Sequence, residues 1–213
     1  MIRHISAILA GAVLLAGAGG AYAGGDPEKG ATKAELCKSC HGPEGMSVNP
    51  ECPNLAGQRS GYILKQVLDF QHNNRSNPTM SPMAAMAGSK DDIEDIAAYF
   101  SSKKSMSSER AMFGKSSGDK DKIAMGKKLF YEGNPKTGVY GCVNCHGQKG
   151  KGRDPNNHIF PVIGGQLKPY IMKQLKDFRA ENRTNDPAGM MGDIASKLTD
   201  KEIEAVADYL SSL

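Results

Sequence analysis

One pentapeptide pattern occurs twice in this chain of 213 residues, as Cys37-Lys38-Ser39-Cys40-His41 and as Cys142-Val143-Asn144-Cys145-His146. Cys-x-x-Cys-His is the attachment signature of c-type haem. Thiols three positions apart stand about one helical turn apart, so each can form a thioether to a haem vinyl group. The adjacent histidine then reaches the iron from one face of the ring. A single copy could arise by chance or form half of a zinc site. Two copies, each followed at similar distance by a methionine cluster, argue for two covalently bound haem c groups.

The surroundings of the signature repeat as well. Residues 53–58 (Pro-Asn-Leu-Ala-Gly-Gln) match residues 161–166 (Pro-Val-Ile-Gly-Gly-Gln), and residues 62–70 match residues 170–178. Asn74-Arg75-Ser76-Asn77 matches Asn182-Arg183-Thr184-Asn185, and residues 93–100 match residues 203–210. Self-similarity at this spacing means two copies of one fold, and duplication is its simplest cause.

Within each half the apolar spacing is helical, and no alternating strand pattern appears. Asp26 followed by Pro27 predicts a helix start that runs into Cys37. Asp119 or Asp121 opens its counterpart. Ser60 is expected to cap a middle helix with Ile63, Leu64, Val67, Leu68 and Phe70 on its apolar positions. Ser89 or Asp91 opens the last helix of the first half, and Thr199 opens its twin. The fold class expected is all-α, with two tandem domains. Loops rich in Gly, Pro and Asn, at 42–54 and 147–161, are long for a compact domain unless they wrap something; a central haem removes that difficulty. Aromatic residues are only 6% and Trp is absent, so each small core gains from apolar surface that a haem supplies.

The first 23 residues resemble a secretory leader. Arg3 and His4 precede an apolar run over 5–17, and Ala21-Tyr22-Ala23 is a small-x-small cleavage site. The run is too short to span a bilayer, so cleavage after about Ala23 and export are expected over a retained anchor. The expected domains are then 24–105 and 119–213, joined by a Ser-, Lys- and Gly-rich linker at 106–118. Residues 24–105 carry 9 basic and 10 acidic side chains, whereas 122–213 carry 14 and 10. Such a difference can orient a partner during encounter. Basic residues interleaved with acids give no nucleic-acid footprint.

Haem iron needs a second axial ligand, and methionine opposite histidine raises the reduction potential while closing the iron to substrate. The candidates are Met80, Met83 and Met86 in the first half and Met190 and Met191 in the second. Aligning the halves places Met80 on Met191 and Met83 on Ile194, which selects Met80 and Met191, with Met83 and Met190 as fallbacks.

Together the paired Cys-x-x-Cys-His units, the Pro-x-[Leu/Ile]-x-Gly-Gln loops, the Tyr-Ile-x-Lys-Gln helices, the Asn-Arg-x-Asn segments and the Ile-x-x-[Ile/Val]-Ala-x-Tyr helices closely resemble the cytochrome c4 family. The resemblance covers nearly all of the chain after the leader. It implies two tandem class I cytochrome c domains and a periplasmic dihaem electron carrier, not an enzyme. His41 and Met80 would ligate the first iron, and His146 and Met191 the second. Cys37, Cys40, Cys142 and Cys145 would carry the haems. The carbonyls of Pro53 and Pro161 would each accept a hydrogen bond from the ligand imidazole. The donor implied is a quinol-oxidising bc-type complex or another periplasmic dehydrogenase, and the acceptor a terminal oxidase. The chain would act as a monomer, with at most peripheral membrane contact. A dihaem peroxidase or thiosulfate-oxidising cytochrome is the enzyme alternative, and it needs an open iron.

Some residues fall outside the pattern. Cys52 stands where the second half has Phe160 and leaves a fifth thiol, read as a small buried hydrophobe or as a site of intermolecular pairing. His72 and His158 have no repeat counterpart and are read as surface or propionate-adjacent. Arg75 and Arg183 recur, which favours a shared task such as pairing with a haem propionate.

Overall fold

The computed structural model describes residues 24–107, 109–112, 114–153 and 158–213; the leader expected at 1–23 lies outside these residues. Each half is a small helical domain. The first contains α1 (Pro27–Lys33), α2 (Glu35–His41), α3 (Ser60–Gln71), α4 (Met80–Ala85) and α5 (Lys90–Ser101). The second contains α6 (Lys120–Glu132), α7 (Val143–His146), α8 (Lys168–Arg179), α9 (Met190–Ser196) and α10 (Asp200–Ser211). Among the described residues the extended structure is limited to an isolated bridge, Asn134 to Val139. No described helix is long and apolar enough to cross a membrane.

Local chemistry explains most of the helix boundaries. Asp26 Oδ1 accepts from the amides of Glu28 (2.9 Å) and Lys29 (3.2 Å), and Asp119 Oδ1 does the same for Asp121 and Lys122. Ser89 with Asp92, and Thr199 with Glu202, form reciprocal capping boxes at α5 and α10. The middle helix differs from expectation. Ser60 is its first helical residue, Arg59 occupies the cap position, and no side chain caps it.

The first and last helices of each domain cross closely because a glycine stands at each crossing. A Cβ on Gly30 would lie 2.0 Å from the Asp95 carbonyl oxygen, and one on Gly126 would lie 1.9 Å from that of Ala205. Only a hydrogen fits there. Behind the crossings, Ile63, Val67, Phe70, Ile93, Ile96 and Phe100 form one core, and Leu129, Phe130, Ile171, Ile203, Val206 and Leu210 form the other.

A third buried cluster lies between the domains: Met46, Ala56, Met106, Ala111, Val162 and Leu167. Met106 and Ala111 belong to the connecting segment, which is therefore packed into the seam. The Met106 amide donates to the Ala56 carbonyl (3.1 Å), and the Lys168 amide donates to that of Gly114 (2.7 Å).

Matching residues from the two domains reach across this seam. Gln58 donates to the Val162 carbonyl (2.8 Å) and accepts from its amide (2.9 Å). Gln166 does the same to Asn54, at 3.0 and 2.8 Å. Arg75 bonds Gln66 of its own domain and both Tyr170 and Gln174 of the other; Arg183 bonds Gln174 of its own domain and both Tyr62 and Gln66 of the other. Both arginines thus bridge the two domains. Each guanidinium also lies over a phenylalanine of its own domain, at 4.7 Å from the Phe70 centroid and 4.4 Å from that of Phe178.

Candidate haem sites

Helix α2 carries Cys37, Cys40 and His41 on one turn and a half. It ends at Gly42, whose φ of 78° turns the chain into the following loop. In the second domain Cys142 precedes α7, and Cys145 and His146 complete it before Gly147 (φ 70°). Both histidines are buried, each 7% exposed. Nδ1 of His41 lies 2.8 Å from the Pro53 carbonyl oxygen, and Nδ1 of His146 lies 3.0 Å from that of Pro161. A carbonyl can only accept, so Nδ1 carries the proton. The lone pair of each imidazole is then on Nε2, the form that binds a metal.

Burial pushes both imidazoles down from their ordinary value, against the smaller raising effect of the proline carbonyls. Together these effects leave the neutral imidazole as the form present at physiological pH. Burial also pushes the Cys37 thiol up, and the Cys142 thiol up to about 11.

Described residues of the loops after each signature bond back to it. The Ser47 hydroxyl donates to the Cys40 carbonyl (3.0 Å), and the Ser47 amide donates to Asn54 Oδ1 (2.8 Å). The Gly152 amide donates to the His146 carbonyl (2.7 Å). Phe160 packs edge-on to the His146 ring at 6.4 Å between centroids. Cys52, at the matching place in the first domain, is half-buried, and burial is the main cause that pushes its thiol up to about 11.

The methionines open short helices. Met80 is half-buried against the first core and starts α4. Met191 is half-buried at the second position of α9, whereas Met190 and Met86 are exposed, at 38% and 58%. Ala84 and Ala195, which stand at the same offset from Met80 and Met191, are both fully buried, so the two helices share a register. His72 is exposed at the end of α3. His158 lies in the seam, its ring 2.3 Å from where a Cβ on Gly61 would stand, with Nδ1 buried and unpartnered. Sequence reasoning did not place it there.

In each domain the donor set of two thiols, an oriented imidazole and a thioether sulfur suits a covalently bound haem. The cytochrome c family model matches residues 27–104 and again 123–213. Fold and site together define a dihaem class I cytochrome c, an electron carrier with two covalently bound haem c groups. The chain is 40% identical over 190 residues to cytochrome c4 of Thiocapsa roseopersicina, covering 89% of this chain and 93% of that one. It is 35% identical over 181 residues to the thiosulfate dehydrogenase electron acceptor of Stutzerimonas stutzeri (84% and 80%). The crystal structure of reduced recombinant cytochrome c4 from Pseudomonas stutzeri superimposes with a TM-score of 0.79 at 39% identity, over 89% of this chain and 99% of that one. The chain belongs to the cytochrome c4 family.

Proposed function

We propose that this chain is a periplasmic dihaem carrier, exported by residues 1–23 and cleaved after about Ala23. In this reading domain 24–105 holds its haem through Cys37 and Cys40, with His41 and Met80 as axial ligands. Domain 119–213 uses Cys142, Cys145, His146 and Met191, and residues 106–118 join the two. The observation that carries the assignment is the pair of imidazole-to-proline bonds, which orient each ring beside two thiols. Each bound haem supplies a one-electron change between ferric and ferrous iron. The chain supplies burial, ligand orientation and a closed far side. Pro53 and Pro161 hold the Nδ1 protons, and Met80 and Met191 occupy the position at which a small molecule would otherwise bind.

Partners are redox proteins. The donor in this proposal is a quinol-oxidising bc-type complex or another periplasmic dehydrogenase, and the acceptor is a terminal oxidase. The relative named as an electron acceptor of thiosulfate dehydrogenase favours that enzyme class as a second candidate donor. Mass spectrometry of natively matured protein tests the attachment, which requires thioethers on all four signature cysteines. Visible spectra of Met80→Ala and Met191→Ala test the ligands. Each substitution must abolish the methionine-to-iron charge-transfer band of one haem, and an unchanged band in both overturns the assignment.

A further inference from the structure

The two methionine segments are built differently. In the first domain Asn77 Oδ1 accepts from the amides of Thr79 (3.0 Å) and Met80 (2.8 Å). In the second domain three more residues separate the matching Asn185 from Met191. There Asp186 Oδ2 accepts from the amides of Met191 (2.7 Å) and Gly192 (3.1 Å). Asn185 is released for other work. Its side chain crosses the seam and donates to Gln66 Oε1 (3.1 Å) and Asp69 Oδ2 (2.5 Å).

A neutral amide oxygen therefore holds the Met80 backbone, and a carboxylate holds that of Met191. Asp186 is half-buried and has no ion-pair partner within 4.0 Å among the described residues. Arg183 is close enough to feel its charge, but that guanidinium is bonded to Tyr62, Gln66, Gln174 and Asn185. The negative charge beside Met191 is thus only partly offset.

We infer that Asp186 positions the sulfur ligand of the second haem and, through its charge, holds that haem's reduction potential below the value a neutral cap would give, a restraint that Asn77 does not place on the first haem. The inference rests on the assignment of Met80 and Met191 as ligands. Ferric iron carries one more positive charge than ferrous iron, so a nearby carboxylate stabilises the oxidised state more. Partial burial weakens solvent screening of that effect. Groups outside the ligand set tune haem potentials by this route.

The test is a spectroelectrochemical titration of the full-length holoprotein in three forms: unaltered, Asp186→Asn and Asn77→Asp. Asp186→Asn keeps an acceptor oxygen and removes the charge. It is expected to raise one of the two potentials by roughly threefold to tenfold in the oxidation ratio, about 30–60 mV at 59 mV per tenfold, with both methionine-to-iron bands retained. Asn77→Asp is expected to lower the other potential by a similar amount. With the bands retained, potentials that stay in place or move in the opposite direction overturn the inference. If Asp186→Asn loses a band, the decision passes to Asn77→Asp alone, where an unmoved or raised potential overturns it. Met191→Ala separates the two levels: if it leaves both bands intact, the ligand assignment fails, not the role of the charge.

Discussion

Replacing Gln58 with Ala tests whether the seam joins the domains energetically. The Gln58 side chain is 4% exposed and makes two bonds to the backbone of Val162, itself 6% exposed. It also accepts from the Arg59 amide at 2.9 Å. Truncation removes one partner and leaves a buried amide and a buried carbonyl of the other domain unsatisfied. Each such group costs about 1–3 kcal/mol, and water entering the loosened seam recovers part of this, so a loss of about 2–4 kcal/mol is expected. Gln58→Glu keeps the acceptor but loses the donor and buries a charge, so it is expected to cost at least as much. Guanidinium unfolding of the holoprotein, followed by far-ultraviolet circular dichroism, measures the loss. Gln166→Ala, the matching change, is expected to behave alike, because it strands the Asn54 amide and carbonyl. If both truncations cost less than about 0.5 kcal/mol, the range of an ordinary surface change, the seam is a contact without energetic weight and the reasoning fails.

Three further outcomes follow from the packing and the charges. Gly30→Ala and Gly126→Ala should each prevent the close crossing of the first and last helices, costing more than about 3 kcal/mol by overpacking against backbone; thermal melts of the holoproteins measure it, and a change under about 1 kcal/mol in either contradicts the crossing geometry. Asp208 is fully buried and accepts from the Ser117 amide (2.7 Å) and from Lys168 Nζ (2.9 Å), so Asp208→Asn should cost about 2 kcal/mol by leaving the ammonium only its 3.5 Å contact with Glu204, read by the same melts. Burial alone would raise its carboxyl, but the Ser117 and Lys168 bonds outweigh burial and hold it below the ordinary value. Its contribution is accordingly full above about pH 4, the unfolded carboxylate value, and is lost as pH falls through the lower folded value; an Asp208→Asn protein whose stability falls as steeply as the parent's below about pH 4 contradicts this linkage.

The haem signatures, the repeat and the Thr199 cap were legible in the sequence, because each depends on residues a few positions apart or on register between the halves. The roles of Gln58, Gln166, Arg75 and Arg183 were not. Their recurrence showed that each domain uses them, but recurrence reads the same whether the partner lies within a domain or across the seam. Ser60 misled for a different reason: a good capping residue one position late became the first residue of the helix. The exchange of Asn77 for Asp186 was hidden by the three added residues, which move the acceptor without changing the motif around Asn185. His158 had no counterpart to compare, and its contact with Gly61 joins residues far apart in sequence.

The arrangement at the seam is isologous: Gln58 meets Val162 as Gln166 meets Asn54, and Arg75 meets Tyr170 as Arg183 meets Tyr62. A surface that complements its own image needs no covalent tether to find its mate. Tethering the two domains adds effective concentration together with the buried Met106 and Ala111 of the connecting segment, and it frees each copy to diverge, as the two methionine segments have done.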